Sequence, residues 1–297
     1  MELVDFGGIS SLEYDQLLSD FSVENIPLSR PTLLSGFILE SPEVTIVSRK
    51  ADNPTLEEAH IPKDYWCIEL PWDCDYSQKE FYNHLDYDRH SFLVAPGGKT
   101  QWHIPGQCNY YACVVSTENL SKQLTSKEID SFLENSSRYK RGRIEKNIIS
   151  SASMRIRNTI LEFRKKSKSM GNSNLDWYLG EVFREIILAT TPVFYTNNLV
   201  SRAKILAKSR DYIHYNYGSA ICVSDIADFS STTVRTLQNI YLSNYGISPM
   251  NYLKSYRLYR YFESIKKGHS KSFSATSSGF NHLGRVSQNF KKLYHFP

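Results

Sequence analysis

Three side chains near the C-terminal end carry the chemistry of base recognition. Arg235, Gln238 and Asn239 lie three and one positions apart, a spacing that places them on one broad face of a helix. An Arg donates two hydrogen bonds to guanine O6 and N7, and Gln or Asn makes a two-bond contact with adenine N6 and N7. Arg285 and Gln288, with His282 just before them, repeat that chemistry nearer the end. Lys204, Lys208, Lys254, Arg257 and Arg260 suit contacts to a sugar–phosphate backbone. Carried on an ordinary helical hairpin, the same residues are only a solvated polar face.

The elements that must position these residues are written around them. In VSDIAD, Val223, Ile226 and Ala227 share one helical face. Phe229-Ser230-Ser231-Thr232 reads as a polar turn, and Thr233 as the N-cap of a second helix. That helix turns Leu237, Tyr241 and Tyr245 inward, which leaves Arg235, Gln238 and Asn239 outward. Gly246 suits its C-terminal cap, and Ser248-Pro249 the N-cap and first residue of a longer helix over 249–267. A weaker copy follows. Ala275 matches Ala227, while Val286, Phe290 and Tyr294 each stand 49 residues beyond Leu237, Tyr241 and Tyr245.

Residues 201–297 resemble the DNA-binding module of the AraC/XylS family of bacterial transcription regulators. The likeness is carried by VSDIA, RTLQ, YGISPMNYL, Arg257-Leu258, GFNHLGR and FKKLY. RTLQN with HLGR is similar to the subgroup that includes regulators of ethanolamine-utilisation operons. The resemblance implies two helix-turn-helix units reading successive major grooves of double-stranded DNA. It departs in four places. The turn glycine of the first unit is Ser231, and Lys271 and Ser274 stand where the first unit has Val223 and Ile226. Phe273 stands where Asp225 would match, and the sequence stops at Pro297, where members run on through a short Pro-containing tail. These changes predict a less firmly held second unit.

Charge divides along the chain. Residues 1–124 carry 8 Lys and Arg against 19 Asp and Glu, net −11; 125–200 carry 13 against 8, net +5; 201–297 carry 14 against 4, net +10. Nucleic-acid binding is thereby expected at one end only. Five cysteines form no CxxC pair, and no basic-then-apolar leader opens the sequence. The most apolar run, VFREIILATTPVFY, is broken by Arg184, Glu185 and Pro192, short of the ~20 residues a membrane span needs. The expected setting is the cytoplasm, with reduced thiols and no membrane partner.

Ser11–Asp20 has helical character within an acidic first 30 residues. From Gly36, the runs FILES, VTIVSR, DYWCIELPWDC, SFLVAPGG, TQWHIPG and NYYACVVS alternate or are β-branched between Pro, Gly and Asn. They predict an antiparallel barrel or sandwich. The family resemblance implies a cupin-like jelly-roll sensor here. Trp66, Trp72, Phe92, Trp102 and Tyr110 are candidates for lining a small-molecule pocket, or for simple core packing. His60, His84, His90 and His103 form no His-x-His pair, so no metal ligands and no cofactor are assigned. No nucleophile motif, phosphate loop or dinucleotide glycine pattern is present. Residues 125–190 turn helical, with a capping box from Thr125 to Glu128 and long runs at Ile144–Lys166 and Leu175–Ala189. They either cover the sheet or, as the resemblance implies, make homodimer contacts.

The sequence thus reads as an α+β protein of two domains: a cupin-like barrel or jelly roll over 1–124, a helical segment over 125–190 and an all-α DNA-binding domain over 201–297. The expected function is a non-enzymatic transcription activator that acts with RNA polymerase and responds to a small-molecule effector. The alternatives are a metal-dependent cupin enzyme with a fused helical domain, and an adaptor whose DNA reader has decayed.

Overall fold

In a computed structural model of the chain, the described residues are 2–18, 21–28, 30–41, 43–71, 82–83, 93–94, 96–104, 106–107, 109–135, 141–143, 146–166, 172–189, 191–192 and 201–294. The N-terminal half is built from β1 (Glu2–Ser10), α1 (Ser11–Leu17), β2 (Val23–Pro27), β3 (Leu33–Glu40), β4 (Val44–Ala51), β5 (Thr55–His60), β6 (Tyr65–Pro71), β7 (Tyr82–Asn83), β8 (Leu93–Val94), β9 (Lys99–Ile104) and β10 (Asn109–Ser116). Then come α2 (Thr117–Ser121), α3 (Ser126–Asn135), β11 (Arg141–Arg143), α4 (Lys146–Lys166), α5 (Asn172–Leu188) and β12 (Thr191–Pro192). The rest is helical: α6 (Ser201–Asn216), α7 (Val223–Phe229), α8 (Val234–Tyr245), α9 (Pro249–Lys266), α10 (Lys271–Ser277) and α11 (Leu283–Tyr294).

The strands form two antiparallel sheets. The larger runs β1-β3-β4-β10-β6-β8-β11-β12 and the smaller β2-β5-β9-β7. Among the described residues no ladder joins the two, so of the expected barrel or sandwich these strands form two separate sheets and no closed barrel. Instead, a buried polar cluster clamps them together. Arg49 of β4 donates to Asn25 of β2 at 2.6 Å and pairs with Glu57 of β5 at 2.5 Å. Tyr110 of β10 donates to the other Glu57 oxygen at 2.8 Å. The guanidinium lies 4.7 Å from the Tyr110 ring centroid and 5.1 Å from that of Tyr14. A buried ion pair is costly to desolvate, and these added hydrogen bonds and ring contacts offset that cost. The acidic start of the chain, which showed only a short helical signal, supplies two strands as well as α1. Ser10 caps that helix in a capping box with Glu13.

The other face of the large sheet is covered by α4 and α5, whose Ile149, Ile156, Ile160, Leu179 and Phe183 share a core with Ile46, Ile68 and Cys113. The capping box expected at the start of α3 is present: the Thr125 N–H donates to Glu128 at 2.8 Å and the Glu128 N–H to Thr125 Oγ1 at 3.3 Å. On the smaller sheet, Ile26, Leu28 and Leu56 pack into one core with Leu237, Tyr241 and Tyr252 of the C-terminal helices. Ser255 of α9 donates to the Leu28 carbonyl at 2.8 Å, in a buried bond. Leu12 of α1 enters the core around Val286 and Phe290 of α11. The N-terminal strands and the C-terminal helices therefore share apolar cores.

Candidate nucleic-acid interface

Two short-helix, tight-turn, longer-helix pairs, α7–α8 and α10–α11, precede and follow α9 in the chain and pack against it. In the first, the Cys222 N–H donates to Asp225 at 2.7 Å, which fixes the start of α7 and holds that carboxyl below the usual carboxylate range. Ser231 turns the chain with φ 55°, a left-handed conformation that glycine adopts more readily. Thr233 caps α8 by accepting from the Thr236 N–H at 3.2 Å. Gly246, at φ 66°, closes the helix with its N–H on the Leu242 carbonyl at 3.1 Å. Ser248 then caps α9 and Pro249 begins it. The caps at Thr233, Gly246 and Ser248-Pro249 are those the sequence predicts, because capping depends on residues three or four positions apart.

α8 turns Leu237, Ile240, Tyr241 and Tyr245 inward and leaves Arg235, Gln238 and Asn239 exposed. Behind it, Tyr245 and Tyr252 stack with centroids 5.1 Å apart, and Tyr241 meets both edge-on at 5.3 and 5.5 Å. Their hydroxyls are not left dry: Tyr241 meets Ser209 at 3.2 Å and Tyr252 meets His214 Nε2 at 3.0 Å. Burial pushes the Tyr245 phenol up to about 12. Burial, with Arg210 and Arg260 nearby, holds His214 well below the ordinary imidazole range and so neutral. This buried tyrosine cluster backs α8 with close packing and so holds its outer face in place.

The second pair repeats the plan with different materials. α11 buries Val286, Phe290, Leu293 and Tyr294 and exposes Arg285 and Gln288. His282 is exposed and accepts the Val286 N–H through its carbonyl at 3.3 Å, which places it at the N-cap. Ser274 replaces the apolar anchor of the first pair with a hydrogen bond to Ser264 of α9 at 2.9 Å. Phe262 and Phe290 stack at 5.5 Å, and Phe290 and Tyr294 at 4.8 Å. The lost apolar contacts of α10 are thus met by an aromatic layer between α9 and α11. At the turn, Gly279 takes φ 79° where the first pair has Ser231.

The five backbone candidates separate into two groups. Lys204 is exposed and Lys208 half-buried on α6. Lys254 is exposed on α9 and donates to Asn289 of α11 at 2.9 Å. Arg257 is instead turned onto the chain, donating to the carbonyls of Tyr217 at 2.6 Å and Ser219 at 2.7 Å. Arg260 lies over the Tyr217 ring, 5.6 Å from its centroid. Both arginines serve the end of α6. Sequence reasoning missed Leu242, exposed seven residues beyond Arg235, and Lys292, exposed seven beyond Arg285. An i, i+7 step places each on the same helical face as the Arg before it, and that spacing was the available signal.

Of the five aromatic pocket candidates, the side chains of Trp66 and Tyr110 are described. Trp66 pairs with Val115, and Tyr110 with Arg49, in ladders where side chains alternate between faces. Trp66 consequently lies under α4 and α5, while Tyr110 faces the smaller sheet, so the two stand on opposite faces of the large sheet. Trp102 lies on β9, whereas Trp72 and Phe92, like His84 and His90, fall outside the described residues. His60 is exposed and His103 buried. Among the described residues, no group of three His, Cys, Asp or Glu is placed to hold a metal ion, and no helix is long and apolar enough to cross a membrane.

No family model matches the chain, and no curated protein matches it. Among solved structures it is similar to the AraC-like transcriptional activator CuxR, at 12% identity over 92% of this chain and 100% of that one, with a TM-score of 0.44. It is similar to ToxT from Vibrio cholerae at 13% identity over 86% and 95%, with a TM-score of 0.31. The C-terminal domain of the two-component response regulator yesN from Fusobacterium nucleatum matches at 19% identity over 30% and 94%, with a TM-score of 0.28. At these scores the likeness carries no weight of its own, and the functional reading rests on the geometry of α8, α9 and α11.

Proposed function

We propose that this protein is a sequence-specific DNA-binding transcription regulator of the AraC/XylS type, an activator that works with RNA polymerase in the cytoplasm. One observation carries the reading: two exposed polar faces, each backed by an aromatic core, lie on helices that precede and follow a single helix in the chain and pack against it. That helix has 18 residues and so spans about 27 Å at ~1.5 Å per residue. One turn of B-DNA is ~34 Å, so a strut of this length suits two reading helices in successive major grooves on one side of the duplex. Arg235, Gln238 and Asn239 read the first half of the site. Arg285 and Gln288, with His282 beside them, read the second. Lys204, Lys208 and Lys254 hold the backbone.

In this reading residues 1–124 form the regulatory domain, 201–297 the reader, and 125–190 a helical segment that also joins two copies. Met154 and Leu161 on α4, and Trp177 and Leu188 on α5, are apolar and exposed, which supports that last role. A small-molecule effector is assigned to the regulatory domain, and membership of the ethanolamine-operon subgroup rests on RTLQN and HLGR alone. Capture of genomic fragments by the full chain, followed by sequencing and mobility shift, tests the reading. A shared sequence of two half-sites about one helical turn apart is expected. Fragments enriched no more than random DNA of equal length would overturn it.

A further inference from the structure

An open groove of about 260 Å³ lies where the β2–β3 connection meets α9 and α11. Leu28, Leu258 and Leu293 are buried along it. Arg30, Lys254 and Lys292 line it from three different segments. Among the described residues no carboxylate lines the groove and none of the three cations is ion-paired. Three like charges placed together without a counter-charge repel one another, and an anionic partner relieves that repulsion. The groove is smaller than the 300–1,000 Å³ typical of small-molecule sites, and it is open, where such sites enclose most of their ligand. Its shape suits the edge of a polymer better than an enclosed effector.

Its position names the polymer. Lys292 lies two turns along α11 from Arg285, on the face assigned above to the major groove, and Lys254 is tied to that helix through Asn289. A helix seated in a major groove has a phosphate strand on either side. Arg30 stands two residues beyond Leu28, whose carbonyl is held by Ser255, so the β2–β3 connection is fastened to α9 and lines one groove with Asn289, Lys292 and Leu293 of α11. We propose that Arg30, Lys254 and Lys292 together bind the sugar–phosphate backbone of double-stranded DNA beside α11, so that the N-terminal half of the chain is itself part of the DNA interface. The proposal rests on the reading given above.

The test uses the full chain and the DNA fragment it captures, with log K measured against log salt. The wild-type slope is compared with that of Arg30→Gln combined with Lys292→Gln. Lys63→Gln combined with Lys127→Gln is the charge-matched control, since both lysines are exposed and outside the groove. Losing two phosphate contacts lowers the slope by about 1.8, at ~0.9 per phosphate. The ratio of affinities for captured and scrambled DNA stays unchanged, because phosphates carry no sequence, and the control keeps the wild-type slope. Arg30→Lys with Lys292→Arg, which preserves charge, also keeps it. A groove variant with the control's slope overturns the proposal while the DNA-binding reading stands. A wild-type chain that binds no DNA overturns both. Saturable binding of octanoate that the groove variant loses, with the salt slope unmoved, makes the groove a small-molecule site and likewise overturns it.

Discussion

Replacing Arg257 by Met separates a structural arginine from a DNA contact. The guanidinium donates to two carbonyls just past α6, that of Tyr217 at 2.6 Å and that of Ser219 at 2.7 Å. Those carbonyls lie in the α6–α7 connection, outside the hydrogen-bond ladder of either helix. A hydrogen bond from a charged group contributes roughly 1.5–3 kcal/mol when shielded and less when wet. The Tyr217 bond is half-buried and counts for about 2 kcal/mol, and the exposed Ser219 bond for about 0.5. Methionine keeps the aliphatic packing of the arginine stem, so the variant should lose roughly 2–3 kcal/mol from the hydrogen bonds alone. Urea denaturation followed by far-ultraviolet circular dichroism reads that loss as a lower midpoint. The salt slope of DNA binding should stay at the wild-type value, since no phosphate contact has gone. An unchanged midpoint with a slope lowered by about one would refute the assignment and return Arg257 to the DNA backbone.

Gly279→Ala should destabilise by roughly 2 kcal/mol or more, because the turn needs φ 79° and the new Cβ would lie 2.6 Å from the Tyr217 carbonyl oxygen; a urea midpoint equal to wild type would count against that geometry. Glu24 is held at about 6 against an ordinary 4.5, by burial first and by the charges of Glu58 and Glu263 next. The native state thus keeps this proton longer, so its contribution is full below pH 4.5 and is lost as pH rises through 6, about 1–2 kcal/mol in all. Glu24→Gln should flatten that part of the stability–pH curve, and a variant curve parallel to wild type would rule the effect out. Arg235→Ala should cost about 1–3 kcal/mol of DNA affinity and relax preference at one base pair, and Gln288→Ala should cost less. Titration against single-base operator variants decides the order, and a larger loss at Gln288 reverses it.

The sequence alone determined whatever rests on neighbours three or four positions apart, or on a regular period. Thr233, Gly246, Ser248 and Pro249 bound α8 and α9 because caps are local chemistry, and the inward stripe Leu237-Tyr241-Tyr245 left Arg235, Gln238 and Asn239 nowhere to point but outward. The central strands of the large sheet were legible for the same reason, as runs of β-branched residues between turn formers. Only the tertiary structure decided what the long cations do. Arg257 and Lys254 are three residues apart on one helix and look alike in sequence, yet one is drawn onto the Tyr217 and Ser219 carbonyls and the other faces the groove beside α11. The reason is the reach of a flexible side chain, whose partner is whichever group the fold brings near, here some 40 positions away. Trp66 and Tyr110 were separated likewise, because the face of each residue depends on which strand it pairs with and in what register. Leu12 and Leu28 came to lie against the C-terminal helices through apolar burial across more than 200 residues, a contact that has no direction in the sequence and appears only once the chain has folded.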